Sequence, residues 1–127
     1  MATVELNFDT FKSTVEGNDT VFVDFWAAWC GPCRMFAPVY EQVSEDNPDI
    51  VFAKVDTEAE QRLAAEFRIS SIPTLMAIRD GVVLYSQPGA LPKGNLEELV
   101  KAVRDVDMDQ VRTDIAQQQE QEGASAQ

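Results

Sequence analysis

Three short runs of β-branched and aromatic residues constrain this chain more than anything else in it, because helical patterns separate them. The first, Val21-Phe22-Val23-Asp24-Phe25-Trp26, is apolar on both alternating sides except at Asp24, as in a strand covered on both faces. Ile50-Val51-Phe52-Ala53-Lys54-Val55 and Thr74-Leu75-Met76-Ala77-Ile78 follow the same rule. Between them, Met35, Phe36, Val39, Tyr40 and Val43 recur at helical spacing after Pro32, with Pro38 a predicted kink. Glu58–Phe67 forms a second such pattern with Leu63, Ala64 and Phe67 inward. Ahead of these elements, Thr3–Leu6 alternates like an edge strand. Asn7 is placed to cap a helix carrying Phe8, Phe11 and Val15 and stopped by Gly17. Asp80-Gly81 between Ile78 and Val82–Tyr85 signals a hairpin, and Leu96, Leu99, Val100 and Val103 mark a last helix from about Asn95. The order β-α-β-α-β-α-β-β-α predicts an α/β fold. Its central mixed sheet is parallel through the alternating part, antiparallel at the hairpin and covered by helices on both faces.

At 127 residues the chain suits one hydrophobic core. The pattern divides it into a domain at 1–105 and an extension at 106–127. Val106, Met108, Val111 and Ile115 keep an imperfect helical rhythm that either extends the last helix or docks on the domain. Residues 117–127, mostly Gln, Glu and Ala, are too polar to pack and read as a solvated tail, so that the extension as a whole is expected to be partly helical or disordered. Twenty-two acids against ten bases leave a net charge of −12, which argues against nucleic acid or an anionic membrane as a partner. Histidine is absent, and with it Ser/His/Asp and Cys/His nucleophile chemistry. Met1–Phe8 has neither the basic nor the apolar region of a signal peptide, so none is expected, and no uncharged stretch nears the ~20 residues of a bilayer span. The cytoplasm, where thiols stay reduced, is the expected location.

Both cysteines lie in Trp29-Cys30-Gly31-Pro32-Cys33, directly after a buried strand and at the opening of a helix. Two intervening residues let the thiols close a small disulfide or part into a dithiol. At a helix N-terminus, free backbone N–H groups and the macrodipole favour the thiolate, the species that attacks another disulfide. Pro32 suits the first turn, where its missing N–H has no intrahelical partner. Cys33 is expected to be the more shielded sulfur, suited to resolving a mixed disulfide. A zinc half-site would need ligands this chain does not offer, so no metal is expected. An inert crosslink over so short a loop would constrain little of the unfolded chain. Redox chemistry is what remains.

With Val23-Asp24-Phe25-Trp26-Ala27, Trp29–Cys33, Lys54-Val55-Asp56, Ile72-Pro73-Thr74 and Gly89-Ala90-Leu91 in that order, the sequence resembles the thioredoxin family over about residues 3–105. The resemblance implies the thioredoxin fold and a protein-disulfide reductase. Cys30 would be its attacking thiolate and Cys33 its resolving thiol. Asp24 would be the buried acid that moves the second cysteine's proton, and burial inside Val21–Trp26 should raise its pKa. The alternative is an acid simply paired with Lys54, whose family counterpart lies near that aspartate. Pro73 would be a cis-proline facing the disulfide, against the alternative of a trans turn. Trp29, Gly31, Pro32, Ile72 and Gly89 would line the target groove, the alternative for Gly89 being an ordinary turn glycine. No bound cofactor is implied. Electrons would come from NADPH through a thioredoxin reductase, the partners being that reductase and disulfide-containing proteins, and the chain is expected to be a monomer.

Three positions depart from the family pattern. Arg68 stands where a helix-ending glycine is common, at a cost of ~1 kcal/mol if φ is positive there. Pro88 removes a backbone donor beside Gly89. Pro92 replaces a hydroxyl cap, so that either Asn95 caps the last helix or Pro92 begins it. The acidic extension motivates a competing reading: a thioredoxin-fold binding or chaperone module without redox turnover.

Overall fold

A computed structural model describes residues 2–125. Ten elements follow one another: β1 (Thr3–Glu5), α1 (Phe8–Glu16), β2 (Thr20–Trp26), α2 (Gly31–Asp46), β3 (Val51–Asp56), α3 (Gln61–Glu66), β4 (Thr74–Arg79), β5 (Val82–Pro88), α4 (Lys93–Asp105) and α5 (Met108–Ser125). The five strands form one sheet in the order β1-β3-β2-β4-β5. β1 and β2 run parallel to β3, while β4 lies antiparallel to β2 and β5 antiparallel to β4. This is the mixed sheet expected from the sequence.

β2 sits at the centre, and its alternation divides the core. Val21, Val23 and Phe25 pack with Phe11 and Leu63 on the side of α1 and α3. Phe22 faces the opposite layer with Phe36, Tyr40, Phe52, Leu96 and Val100 from α2, β3 and α4. Asp24 shares the side of Phe22 because strand side chains repeat every second residue. Each fully buried aromatic here contributes ~1.5–3 kcal/mol, so the layers fix β2 firmly and the residues after Trp26 inherit a defined start.

Local chemistry sets the element ends. Asn7 caps α1 through a reciprocal box with Thr10, and Gly17 follows its last turn. Asp80 and Gly81 both take positive φ, 53° and 78°, as a two-residue hairpin requires. Arg68 ends α3 with φ 54°. Its N–H donates to the Ala65 carbonyl (3.1 Å) and that of Ile69 to the Ala64 carbonyl (3.0 Å), the paired bonds of a Schellman close.

Three expectations are corrected. α3 begins at Gln61, not Glu58, because the Asp56 carboxylate takes the N–H groups of Glu58 and Ala59 and holds a turn there. α4 begins at Lys93, with Pro92 as a cap that accepts through its carbonyl from Leu96 N (3.0 Å), so neither Asn95 nor a helical Pro92 starts it. β5 runs on to Pro88 instead of stopping at Tyr85. Of the two alternatives for the segment after Val106, docking is the one found: a separate helix, α5, starts with buried Met108 and continues over residues 117–125, whose Gln, Glu and Ala favour helix while the side chains described there stay in water, as expected of a solvated tail.

The start of α5 is held by arginines. Arg79 donates through one nitrogen to the carbonyls of Val103 (3.0 Å), Arg104 (3.2 Å) and Val106 (2.7 Å), closing the end of α4. Arg112 pairs with Asp80 and Asp109, and Met108 is buried.

Candidate active site

The site is built where β2 ends. Trp26 closes the strand, Ala27 is buried beneath the turn, and Cys30 becomes the N-cap of α2 with Gly31 and Pro32 in its first turn. Cys30 and Cys33 are joined in a disulfide with their Cα atoms 5.2 Å apart. The Cys33 N–H donates to Cys30 Sγ at 3.2 Å. The first turn of the helix therefore points a free donor at the sulfur most exposed to the macrodipole, and on reduction that donor favours the thiolate. Both cysteines are recessed, with 4% of Cys30 and 2% of Cys33 exposed.

The loop before β4 closes over the same sulfur. The Ile72–Pro73 peptide is cis, as the resemblance implies, and Ile72 O lies 3.7 Å from Cys30 Sγ. Pro73 is buried and Ile72 half-buried. Gly89 adopts φ 107° and donates its N–H to Pro73 O at 2.8 Å, tying the end of β5 to the proline. A Cβ on Gly89 would meet nothing within 4 Å, so backbone conformation and not crowding requires glycine there. Pro88 pairs with Thr74 at the last rung of the hairpin.

Trp29 stands out from the surface, 66% exposed, and its Nε1 donates to Glu58 Oε1 at 2.8 Å. Glu58 escaped the sequence reasoning. The register Trp26↔Asp56 brings the loops after β2 and β3 together, and Thr57 N donates to Trp26 O at 2.8 Å. Strand order, which no local pattern contains, was the missing signal.

Asp24 has no exposed surface, and neither carboxylate oxygen has a hydrogen-bond partner among the described residues. Burial pushes its carboxyl up to about 7; the Lys54 ammonium opposes this and the Glu5 carboxylate adds to it. Lys54 does not form the close ion pair of the alternative reading. Its Nζ lies 4.8 Å above the Trp26 ring. Tyr40, on the same side, donates to Ala53 O at 2.8 Å, and its own ionisation is pushed well up by burial and by Asp24. Among the described residues no cluster of His, Cys, Asp or Glu could hold a metal ion, and no helix is long and apolar enough to cross a membrane.

The family model for thioredoxin matches residues 2–102. A putative thioredoxin 2 of Streptomyces coelicolor is 54% identical over 122 residues, 96% of this chain and 91% of that protein. That alignment continues into the segment that forms α5. A thioredoxin of Bacillus subtilis is 41% identical over 79% of this chain and 96% of its own length. Among solved structures, thioredoxin of Plasmodium falciparum superposes with a TM-score of 0.74 at 32% identity, over 79% of this chain and 98% of that one. A mutant thioredoxin of Halobacterium salinarum gives 0.76 at 31% identity over 83% and 93%. A recessed Cys-x-x-Cys disulfide on this fold, with relatives this close, leaves one conclusion: the chain belongs to the thioredoxin family, a cofactor-free thiol–disulfide oxidoreductase that reduces protein disulfides and is itself re-reduced by a thioredoxin reductase.

Proposed function

We propose the following division of labour. In the reduced protein Cys30, as thiolate, attacks one sulfur of a target disulfide. A Cys30–target bond forms and the other target sulfur leaves as thiolate. Cys33 then gives its proton to the Asp24 carboxylate and attacks Cys30 Sγ. The Cys30–Cys33 disulfide forms, and the second target sulfur leaves with the electron pair of the broken bond. The observation that carries the assignment of Cys30 is the Cys33 N–H aimed at its sulfur from the first turn of α2, a donor for the thiolate.

Asp24 suits proton transfer because an acid titrating near 7 with no partner to satisfy can exchange a proton at neutral pH. Trp29, Gly31, Pro32, Ile72, Pro73 and Gly89 are assigned as the rim that takes an extended target segment, a reading supported by the Ile72 carbonyl 3.7 Å from Cys30 Sγ and by the bond from Gly89 N–H to Pro73 O. Lys54 supports Asp24 electrostatically. The reductase and disulfide-containing proteins are the partners, the working form is a monomer, and the location is the cytoplasm. Residues 1–105 suffice for turnover, with 106–127 an appendage.

The test is trapping. Reduced Cys33→Ser incubated with a disulfide protein such as insulin should accumulate a Cys30-linked adduct seen by mass, whereas Cys30→Ser should neither trap nor turn over. An adduct on Cys33 in the Cys30→Ser protein, and none in the other, would reverse the roles.

A further inference from the structure

The parallel registers of β1, β3 and β2 set three charged residues in one line. Glu5 lies opposite Lys54, and Lys54 opposite Asp24. Residues paired across strands share a face, and here the face is that of α2. Thr3, two residues before Glu5, donates from its hydroxyl to Glu41 of α2, while Phe22 and Phe52, two before Asp24 and Lys54, stack at 5.2 Å. The line runs from the exposed edge strand at Glu5, through half-buried Lys54, to fully buried Asp24. One ammonium thus stands between two carboxylates, close to neither as an ion pair and lying over the Trp26 ring.

We propose that Glu5 is a positioning residue for the buried acid: from the sheet edge it competes for the Lys54 ammonium and so keeps Asp24 a proton acceptor instead of a standing partner of the lysine. The electrostatics run the same way. Glu5 raises the Asp24 carboxyl, Lys54 lowers both acids, and burial raises Glu5 itself, with Asp56 adding and the Trp26 indole opposing. The charged and titratable groups facing Asp24 are Lys54 from β3, Glu5 from β1 and Tyr40 from α2. Those facing Glu5 are Lys54 and Asp56 from β3. Glu41 of α2 is occupied with Thr3 Oγ1 and Ala2 N. Glu5 itself lies on the edge strand, where its backbone is part of the sheet and its carboxylate meets Lys54, Asp56 and the Trp26 indole.

The consequence for the dithiol rests on the proton role proposed for Asp24, so the experiment separates the two. The Asp24 side-chain carboxyl is titrated by NMR in the oxidised full-length protein, in Glu5→Gln, in Glu5→Lys, and in Glu16→Gln as a charge change on the other face. Glu5 and Asp24 stand two strand spacings apart, about 10 Å. For unit charges at that separation, effective dielectrics between ~80 and ~20 give a fall of about 0.3 to 1 on the pH scale in Glu5→Gln. Glu5→Lys should move the midpoint further and Glu16→Gln should leave it in place. Midpoints unmoved in both Glu5 variants overturn the proposal. In parallel, the pH profile of insulin reduction with thioredoxin reductase and NADPH is measured, and its acid limb should move the same way. A moved midpoint under an unmoved profile upholds the coupling of Glu5 to Asp24 and refutes the proton role of Asp24.

Discussion

Replacing Asp24 with asparagine should stabilise the oxidised protein above neutrality and do so less and less as the solution is acidified. In the unfolded chain this carboxyl ionises near 3.8, and in the fold only near 7. Between those values the unfolded state has released a proton that the folded state still holds, so stability falls as pH rises and the loss is complete above about 7. The interval spans roughly three pH units, each worth 1.36 kcal/mol, or about 4 kcal/mol. The amide that takes the place of the carboxyl is itself buried without a partner, at a cost of ~1–3 kcal/mol, but that cost does not change with pH. The quantity to read is therefore the change in the variant-minus-native difference between about pH 3.5 and about pH 8.5, on either side of the two ionisations. Urea unfolding of both disulfide-bonded proteins should show it growing by about 4 kcal/mol, which is on the order of 10–15 °C in Tm for a domain of this size. Parallel stability curves would refute the reasoning, since they would mean that Asp24 is hydrated or paired in the folded protein.

Two further outcomes follow from features away from the sulfurs. Arg68→Gly should raise stability by about 1 kcal/mol in urea, because the left-handed position closing α3 is strained for any side chain; a loss would mean that the guanidinium makes stabilising contacts in solution. Arg79→Ala should uncover the carbonyls of Val103, Arg104 and Val106, costing about 1–3 kcal/mol and speeding amide exchange from Val106 into α5. Unchanged exchange there would show that α5 is held by Met108 and Arg112 alone.

What could be read from the residues, and what could not, separates along a physical line. The strand at Val21–Trp26, the Asn7 cap, the Asp80-Gly81 turn and the cis bond before Pro73 each depend on a few neighbouring residues or on a pattern carried by the family. Each therefore shows in a short window of sequence. Glu58 beside Trp29 and Glu5 in line with Asp24 depend on which strands lie together, and β1-β3-β2 is not the order of the chain. The late start of α3 came from a side chain, Asp56, competing with the helix for backbone donors. The fate of the extension turned on Arg79, a residue in a different element whose three acceptors could not be guessed from either segment alone.

On the proposed division of labour, the recessed disulfide would also act as a filter on its substrates. With so little of Cys30 and Cys33 at the surface, and with the attacking role proposed for Cys30 and the rim role proposed for Pro73, a target would have to bring its sulfur to Cys30 on a segment thin enough to lie along that rim. A disulfide packed inside a rigid protein cannot present itself that way until its surroundings open. If the opening costs about 4 kcal/mol, the competent form exists roughly one part in a thousand of the time, and reduction slows by the same factor. Among disulfides of equal redox potential, this protein would thus rank its targets by how readily each one's own fold lets go.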